Sequence, residues 1–307
     1  MFARVLSLAA LLAVTATGAA SAADMPVKAL KPVAPAPFFF VNENSIGYSY
    51  YFTATDPGVS KTAKNVLNFT HFDVWAYGTN FFTVDWLKSD TRDPVGGTAG
   101  SQGATEIYGL FRSTIGFNQL FNTRAFTVGP LTNVSFIVGA DLNTENNALQ
   151  PAKRSMVAGL NFDFALLYKG TFSLAVEAYK EYSHNAFYVM NGGDTDFRTT
   201  WRLEGMYTQP LDAIVPLPLT FSTLYGIQGP KGAGNPSANA FDTKTEYFVS
   251  PKLALDVGKV VGYRPGMTSV YGAYRYWKNK FGIDPTAGTG TCCTVESSWV
   301  LGVTQAF

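Results

Sequence analysis

Val295-Glu296-Ser297-Ser298-Trp299-Val300-Leu301-Gly302-Val303-Thr304-Gln305-Ala306-Phe307 closes the sequence and decides its fold. Apolar or aromatic residues recur at Val295, Trp299, Leu301, Val303 and Phe307, with small or polar ones between them at Glu296, Ser298, Gly302 and Thr304. A period of two is that of a β-strand, whose successive side chains point to opposite faces. One face of this strand is greasy and the other wet.

The same pattern runs upstream, interrupted by turn-rich stretches. We read about twelve strands, at 45–55, 65–77, 80–88, 105–117, 131–143, 155–166, 170–182, 196–208, 217–228, 244–257, 268–278 and 295–307. The alternation is clear in 131–143, with Val134, Phe136, Val138, Ala140 and Leu142 against Ser135, Gly139, Asp141 and Asn143. In 196–208 it sets Phe197, Trp201, Leu203 and Tyr207 outward against Arg198, Arg202 and Glu204. Strand 65–77 changes phase: Leu67 and Phe69, then Phe72 and Val74, read as outward, which a β-bulge near Phe69 would reconcile. His71 and Asp73 would then face inward together, as a solute-contacting pair or as polar groups stabilising the barrel end.

Connections alternate in length. The stretches 54–64, 89–104, 144–154, 183–195, 229–243 and 279–294 are long, and the turns at 77–80 and 167–170 are short. Long loops on one side and short turns on the other are expected of an all-β, transmembrane, antiparallel up-and-down β-barrel with an even strand number. Connections 118–130 and 209–216 are longer than that rule expects, so a hairpin could hide there. A secreted β-sandwich would also alternate, but has no use for so many large apolar residues on its outward face.

Composition agrees. Charged residues and aromatics each make up 15%, with 24 Phe and 16 Tyr, which suits a lipid-facing wall with aromatic girdles. Basic residues (23) nearly balance acidic ones (22), so no strong field draws a nucleic acid polymer. Residues 1–22 read as a signal peptide, with Arg4, an apolar run 5–14 and an Ala20-Ser21-Ala22 cleavage site. Residues 23–44, with Pro26, Pro32, Pro35 and Pro37, read as an extended periplasmic lead-in, and 45–307 as the barrel. Cys292 and Cys293 are adjacent, so a vicinal or an intermolecular disulfide is open to them in an oxidising compartment. No nearby His supplements them as metal ligands, and no cofactor or metal is expected.

The wet faces would line a lumen. They carry ionisable groups of both signs at Asp85, Glu106, Arg112, Asp141, Asp163, Glu177, Glu181, Arg198, Arg202, Glu204, Lys244, Glu246, Asp256, Arg275 and Glu296, with aromatics at Tyr51, Tyr108, Tyr179 and Phe248. Charges inside a membrane structure must be wet or paired. The lumen is therefore either a narrow water-filled path or an ion-paired plug. Asp85, Glu106, Tyr108, Arg112, Glu177, Tyr179, Arg198, Arg202, Glu204, Glu246, Phe248 and Arg275 are the candidate channel-lining, solute-contacting residues.

Two resemblances sharpen this. The closing strand resembles the C-terminal strand of Gram-negative outer-membrane β-barrels. That implies an outer-membrane location, contact with outer-membrane lipid and use of the barrel-assembly machinery. Segment 70–86 resembles the second hairpin of the Tsx-like nucleoside-specific channel-forming family, through Tyr77, Gly78, Phe81, Phe82 and Asp85, with Thr79 where that family has an acidic residue. The resemblance implies a monomeric barrel for passive uptake of small polar solutes, nucleosides among them. The start of the expected mature chain, Ala23-Asp24-Met25-Pro26-Val27-Lys28-Ala29, resembles outer-membrane proteins of rhizobial-type bacteria. A barrel lipase is the enzymatic alternative. The two histidines, His71 and His184, have no nucleophilic serine at a matching spacing, and no Gly-x-Ser-x-Gly elbow is present, so an enzyme is not expected. The remaining alternative is a closed structural or surface-interaction barrel with an ion-paired lumen.

Overall fold

The closing stretch forms a strand, Glu296–Ala306, hydrogen-bonded on both sides to other strands. A computed structural model describes residues 37–184, 186, 193–235, 242–286 and 292–307. The expected signal peptide and most of the lead-in lie outside the described residues. Twelve strands form the wall. They are β1 (Phe39–Ala54), β2 (Thr62–Trp75), β3 (Gly78–Ser89), β4 (Thr105–Gly116), β5 (Leu131–Glu145), β6 (Ala152–Ala165), β7 (Thr171–His184), β8 (Thr200–Pro210), β9 (Leu219–Gln228), β10 (Glu246–Asp256), β11 (Thr268–Lys278) and β12 (Glu296–Ala306). A three-residue strand, Asp194–Asp196, adds to the far end of β7.

Each strand pairs antiparallel with its sequence neighbours, and β12 pairs with β1, so the sheet closes on itself. Closure leaves no row of unpaired backbone groups in the wall, the condition for a sheet to cross lipid. Both chain ends of the barrel lie at one end, the termini end; the opposite end carries the longer loops. The stretches 117–130 and 211–218 are true connections at the termini end, and no extra hairpin is present in them. The first opens on a short helix, Phe117–Leu120. β1 starts at Phe39, earlier than the expected 45, because residues 39–44 continue the ladder against β2.

The outer face follows the alternation. Ile46, Leu67, Trp86, Ile107, Phe136, Leu142, Met156, Val176, Trp201, Leu253, Trp299, Leu301 and Val303 are all exposed. In water such a surface would aggregate; in a bilayer it is the solvated face. The inner face holds the polar set, with Ser49, Arg112, Asp141, Glu177, Glu181, Glu296 and Ser298 all buried.

Two readings need correction. No bulge interrupts β2 near Phe69: its ladders with β1 and β3 run in constant register from Asn65 to Val74. Strict alternation then puts Phe72 and Val74 inside and His71 and Asp73 outside. There His71 Nδ1 meets Asn44 Oδ1 at 2.9 Å, its Nε2 meets Asp73 Oδ2 at 3.1 Å, and Asn80 donates to Asp73 at 2.9 Å. These side chains satisfy one another at the termini-end rim. Phe197 is the second correction. Tyr182 pairs with Asp196 but Tyr179 pairs with Thr200, a slip of one residue between the short strand and β8. A one-residue slip reverses every side chain, so Phe197 points inward and is buried.

The apolar wall yields a test. Leu301→Arg should destabilise the protein refolded in lipid vesicles by about 2–4 kcal/mol. An unchanged unfolding midpoint would show that Leu301 does not face hydrocarbon.

Candidate functional site

Ladder register places Glu106, Tyr108 and Arg112 of β4, Glu177 and Tyr179 of β7, Arg202 and Glu204 of β8, Glu246 and Phe248 of β10, Arg275 of β11 and Asp85 of β3 on the inner face. Arg198 is not among them. It precedes β8 in the loop, is exposed, and packs beside Gly232. Lys244, also read as inward, sits in a loop and pairs with Asp284 at 2.7 Å.

At mid-height the lumen is crossed by a guanidinium–carboxylate lattice. Arg112 Nη1 lies 2.8 Å from Asp141 Oδ1 on β5, and its Nε and Nη2 both reach Glu204 on β8. Arg202 reaches Asp141 Oδ2 at 3.1 Å and Glu204 Oε2 at 2.7 Å. Bidentate forks of this kind are stronger than single-point ammonium pairs. Gly139 makes the arrangement feasible, since a Cβ there would come within 2.5 Å of Arg112 Cδ. Glu177 is buried beside the lattice, and neither of its carboxylate oxygens has a hydrogen-bond partner. The lattice thus pairs two guanidiniums with the carboxylates of Asp141 and Glu204, with the carboxyl of Glu177 beside them.

A second group lies around Arg275. It donates to Glu296 Oε1 at 2.6 Å, and its guanidinium stands 4.8 Å from the Phe248 ring centroid, 5.5 Å from that of Trp277 and 5.8 Å from that of Tyr51. Rings packed against a cation attract it while excluding water. Asp85 accepts from Asn68 of β2.

Toward the loop end the lumen is filled. Lys231, from the β9–β10 loop, is buried, with Nζ 2.7 Å from Glu181, 3.4 Å from Glu246 and 4.7 Å from the Phe197 ring centroid. Lys280, from the β11–β12 loop, pairs with Asp56 at 2.6 Å and Glu296 at 2.8 Å. Lys64 of β2 holds Asp56 and Glu106 at 2.7 Å each and Glu145 at 3.1 Å. Burial pushes the Asp56 carboxyl up, but Lys280 and Lys64 outweigh it and hold the group below the usual carboxylate range. Cys292 and Cys293 are disulfide-bonded to each other, and the Cys292 carbonyl accepts from Gly58 at 3.0 Å, tying the β11–β12 loop to the β1–β2 loop.

Sequence reasoning did not single out Asp56, Lys64, Glu145, Lys231 or Lys280. Asp56, Lys231 and Lys280 belong to loops, where period two gives no direction. Lys64 and Glu145 sit at strand ends, beyond the first or last residue read as strand.

Toward the termini end the lumen is hollow. Met206 and Leu224 are on the inner face by register, yet 44% and 50% exposed. Lys252 is exposed beside them, its Nζ 5.3 Å from the Tyr271 ring centroid. The inner wall is wet in this half and dry in the other.

No family model matches the sequence. No curated protein matches it. Among solved structures, the chain is similar to the KdgM porin in complex with disordered oligogalacturonate (10% identity, TM-score 0.42), with 86% of this chain and 99% of that one covered. It is similar to the NanC porin at 12% identity and TM-score 0.43, with the same coverages of 86% and 99%. The outer membrane protein OpdK from Pseudomonas aeruginosa aligns at 9% identity and TM-score 0.40, over 87% of this chain and 98% of that one. Likenesses of this size say nothing about solute or mechanism.

The mouth charges supply a test with a pH sign. Lys64→Met leaves Asp56, Glu106 and Glu145 without their shared ammonium, a loss of about 3–5 kcal/mol at pH 8. The deficit should shrink as the pH falls to 5, because carboxyls deprived of a cation take up protons more readily. In the wild type the depressed Asp56 carboxyl contributes stability above the ordinary carboxylate range, lost only as the pH falls below it. Unfolding of both proteins at the two pH values decides. A deficit that does not change with pH would show that the carboxylates are not what Lys64 compensates.

Proposed function

We propose that this chain is an outer-membrane channel for passive passage of small polar solutes, entering lipid as a monomer through the barrel-assembly machinery and catalysing no reaction. The observation that carries the reading is the hollow, wet half of the lumen leading to a waist of paired guanidiniums and carboxylates. A barrel needed only as an anchor has no use for Met206, Leu224 and Lys252 facing water inside it. The apolar outer wall supports membrane insertion, and the asymmetric connections support a periplasmic termini end.

Solute would pass between the Arg112–Asp141–Glu204–Arg202 lattice and the Arg275 group. Tyr51, Tyr108 and Phe248 offer ring faces there, and Asp85, Glu106 and Arg275 offer polar edges. Flat, hydroxylated solutes such as nucleosides fit that pairing of surfaces and are the first to try. Weak multiple contacts let a solute leave as readily as it enters. With Arg112 and Arg202 already paired to Asp141 and Glu204, and the carboxyl of Glu177 beside them, the waist offers no free cation to an anion and favours cations and neutral solutes.

The filled mouth favours a second reading, a closed barrel whose loops do the work. Lys231 and Lys280 decide between them. In a channel they are latches that hold the loops down, so Lys231→Gln with Lys280→Gln should raise solute entry into liposomes several-fold with the barrel still folded. In a closed barrel the same pair lowers heat stability and neither protein admits solute. Arg112→Ala with Arg202→Ala provides the companion measurement at the waist, where flux should change with little loss of fold.

Selectivity can be read separately. In planar bilayers under a KCl gradient, the reversal potential should carry the sign of potassium preference. A chloride preference would refute the charge argument at the waist. Nucleoside entry that saturates, beside slower entry of sugars of similar size, would support the finer reading; equal rates would remove it.

A further inference from the structure

Arg112, Arg202, Arg275, Lys64, Lys231 and Lys280 are each held by a carboxylate inside the barrel. Lys252 of β10, in the hollow half, is not. Among the described residues its Nζ has neither a hydrogen bond nor an ion pair, and stands over the Tyr271 ring alone. The wall around it offers no acid. The flanking inner positions are Thr220, Ser222 and Leu224 on β9 and Ser269, Tyr271 and Ala273 on β11. Asp256, further along the same face of β10, is engaged by the backbone N–H groups of Lys259 and Gly266. A lone ammonium inside a membrane barrel is tolerated only where it is wet.

Beside this ammonium the wall is apolar and uncovered. Lys252 pairs with Ser222, two residues from Leu224, and Met206 lies directly opposite Leu224. Leu224 is thus diagonal to Lys252 on one face, about 7–8 Å away. Both apolar side chains are left half open to water. On the other flank Tyr271 is pinned. Gly302 leaves room for its ring where a Cβ would clash, and its hydroxyl is hydrogen-bonded to Ser49. An apolar patch, a free ammonium and a fixed ring therefore run side by side from β8 to β12 on a concave surface. A mostly apolar hollow with a few placed polar groups is the usual make-up of a small-molecule site.

We infer that the termini-end half of the lumen binds small organic anions that carry a short apolar chain, with Lys252 taking the anionic group and Met206 and Leu224 the chain. The inference rests on the reading of this half as open to solute. Charge complementarity selects the ligand: an unpaired ammonium gains a charge-assisted hydrogen bond from an anion, and the apolar pair loses water to a chain. Ser222 and Ser250, on the same inner face, add hydroxyl donors. The waist sets the consequence. Its guanidiniums are already paired, so nothing draws the anion onward. A ligand seated at Lys252 stands in the path of other solutes and blocks a narrow lumen from the termini end.

Hexanesulfonate is the probe, because a sulfonate stays ionised and does not cross a bilayer. Single barrels in planar bilayers, each inserted in one orientation, receive it in one chamber and then in the other. Half-block at about 1 mM from one chamber only is expected. Methanesulfonate, without the chain, and hexanamide, without the charge, should each need about tenfold more. Lys252→Met should weaken the block about tenfold or more and Leu224→Ser several-fold, while Lys252→Arg keeps it. A conducting wild type left unblocked at about 30 mM overturns the inference. Equal block from both chambers, or block that survives Lys252→Met, also overturns it. Binding is read a second way, without current, by saturation-transfer NMR of the probe on barrels in nanodiscs, wild type against Lys252→Met. A barrel that carries no current yet binds the probe through Lys252 sinks the channel reading and upholds the site. A folded barrel with no transfer that depends on Lys252 removes the site whatever its conductance.

Discussion

Closure of the backbone ladder is the constraint on which everything else in this molecule depends. β12 is hydrogen-bonded to β1 along Ser45↔Ala306 to Tyr51↔Val300, and no wall strand is left with a free edge. Once the ring closes, each strand has a set register, and register decides for every side chain whether it meets lipid or lumen. The molecule has no freedom to turn one residue without turning the rest of its strand. Where the chain slips by one position, between the short strand Asp194–Asp196 and β8, it does so at the loop end, beyond the apolar band. The result is a phenylalanine in the mouth of the lumen.

The same constraint creates the electrostatic problem inside. Inward positions of a narrow barrel are forced close together in a low dielectric, so unlike charges must meet and like charges must be separated or neutralised. The waist solves this with two guanidiniums that span from β4 and β8 to a shared Asp141 on β5. Their planar forks serve several oxygens at once, which an ammonium does less well. The mouth solves it with ammonium groups brought in on loops, Lys231 and Lys280, whose long stems reach down from outside the wall. The two devices differ in what they permit. The waist is held by strand residues alone; the mouth is held partly by the loop residues Asp56, Lys231 and Lys280.

Much of this was legible in the sequence. Strand number, the order of long and short connections, and the facing of Asp85, Glu106, Arg112, Glu177, Arg202, Glu204 and Arg275 all follow from period two, because each lies inside a strand with several unambiguous neighbours. The errors have specific causes. His71, Asp73, Phe72 and Val74 were placed by polarity, but at the termini-end rim polar residues can satisfy one another outside, as Asn44, His71, Asp73 and Asn80 do. Arg198 and Phe197 were placed by extending a strand beyond its ladder. The partners Asp56, Lys231 and Lys280 carry no periodic signal, and only the folded loops bring them beside Glu106, Glu181 and Glu296.

What the sequence by itself determined is the barrel and its two faces, since alternating polarity is a one-dimensional property that a closed ladder converts directly into inside and outside. Only the tertiary structure decided which charges meet. Arg112 and Glu204 are 92 positions apart in the chain, and Lys231 and Glu181 are 50. Strand tilt, barrel shear and loop paths set such distances, and none of these is written in the local pattern. The filled mouth and the hollow half are therefore facts of the closed barrel, where side chains from many strands compete for one narrow volume.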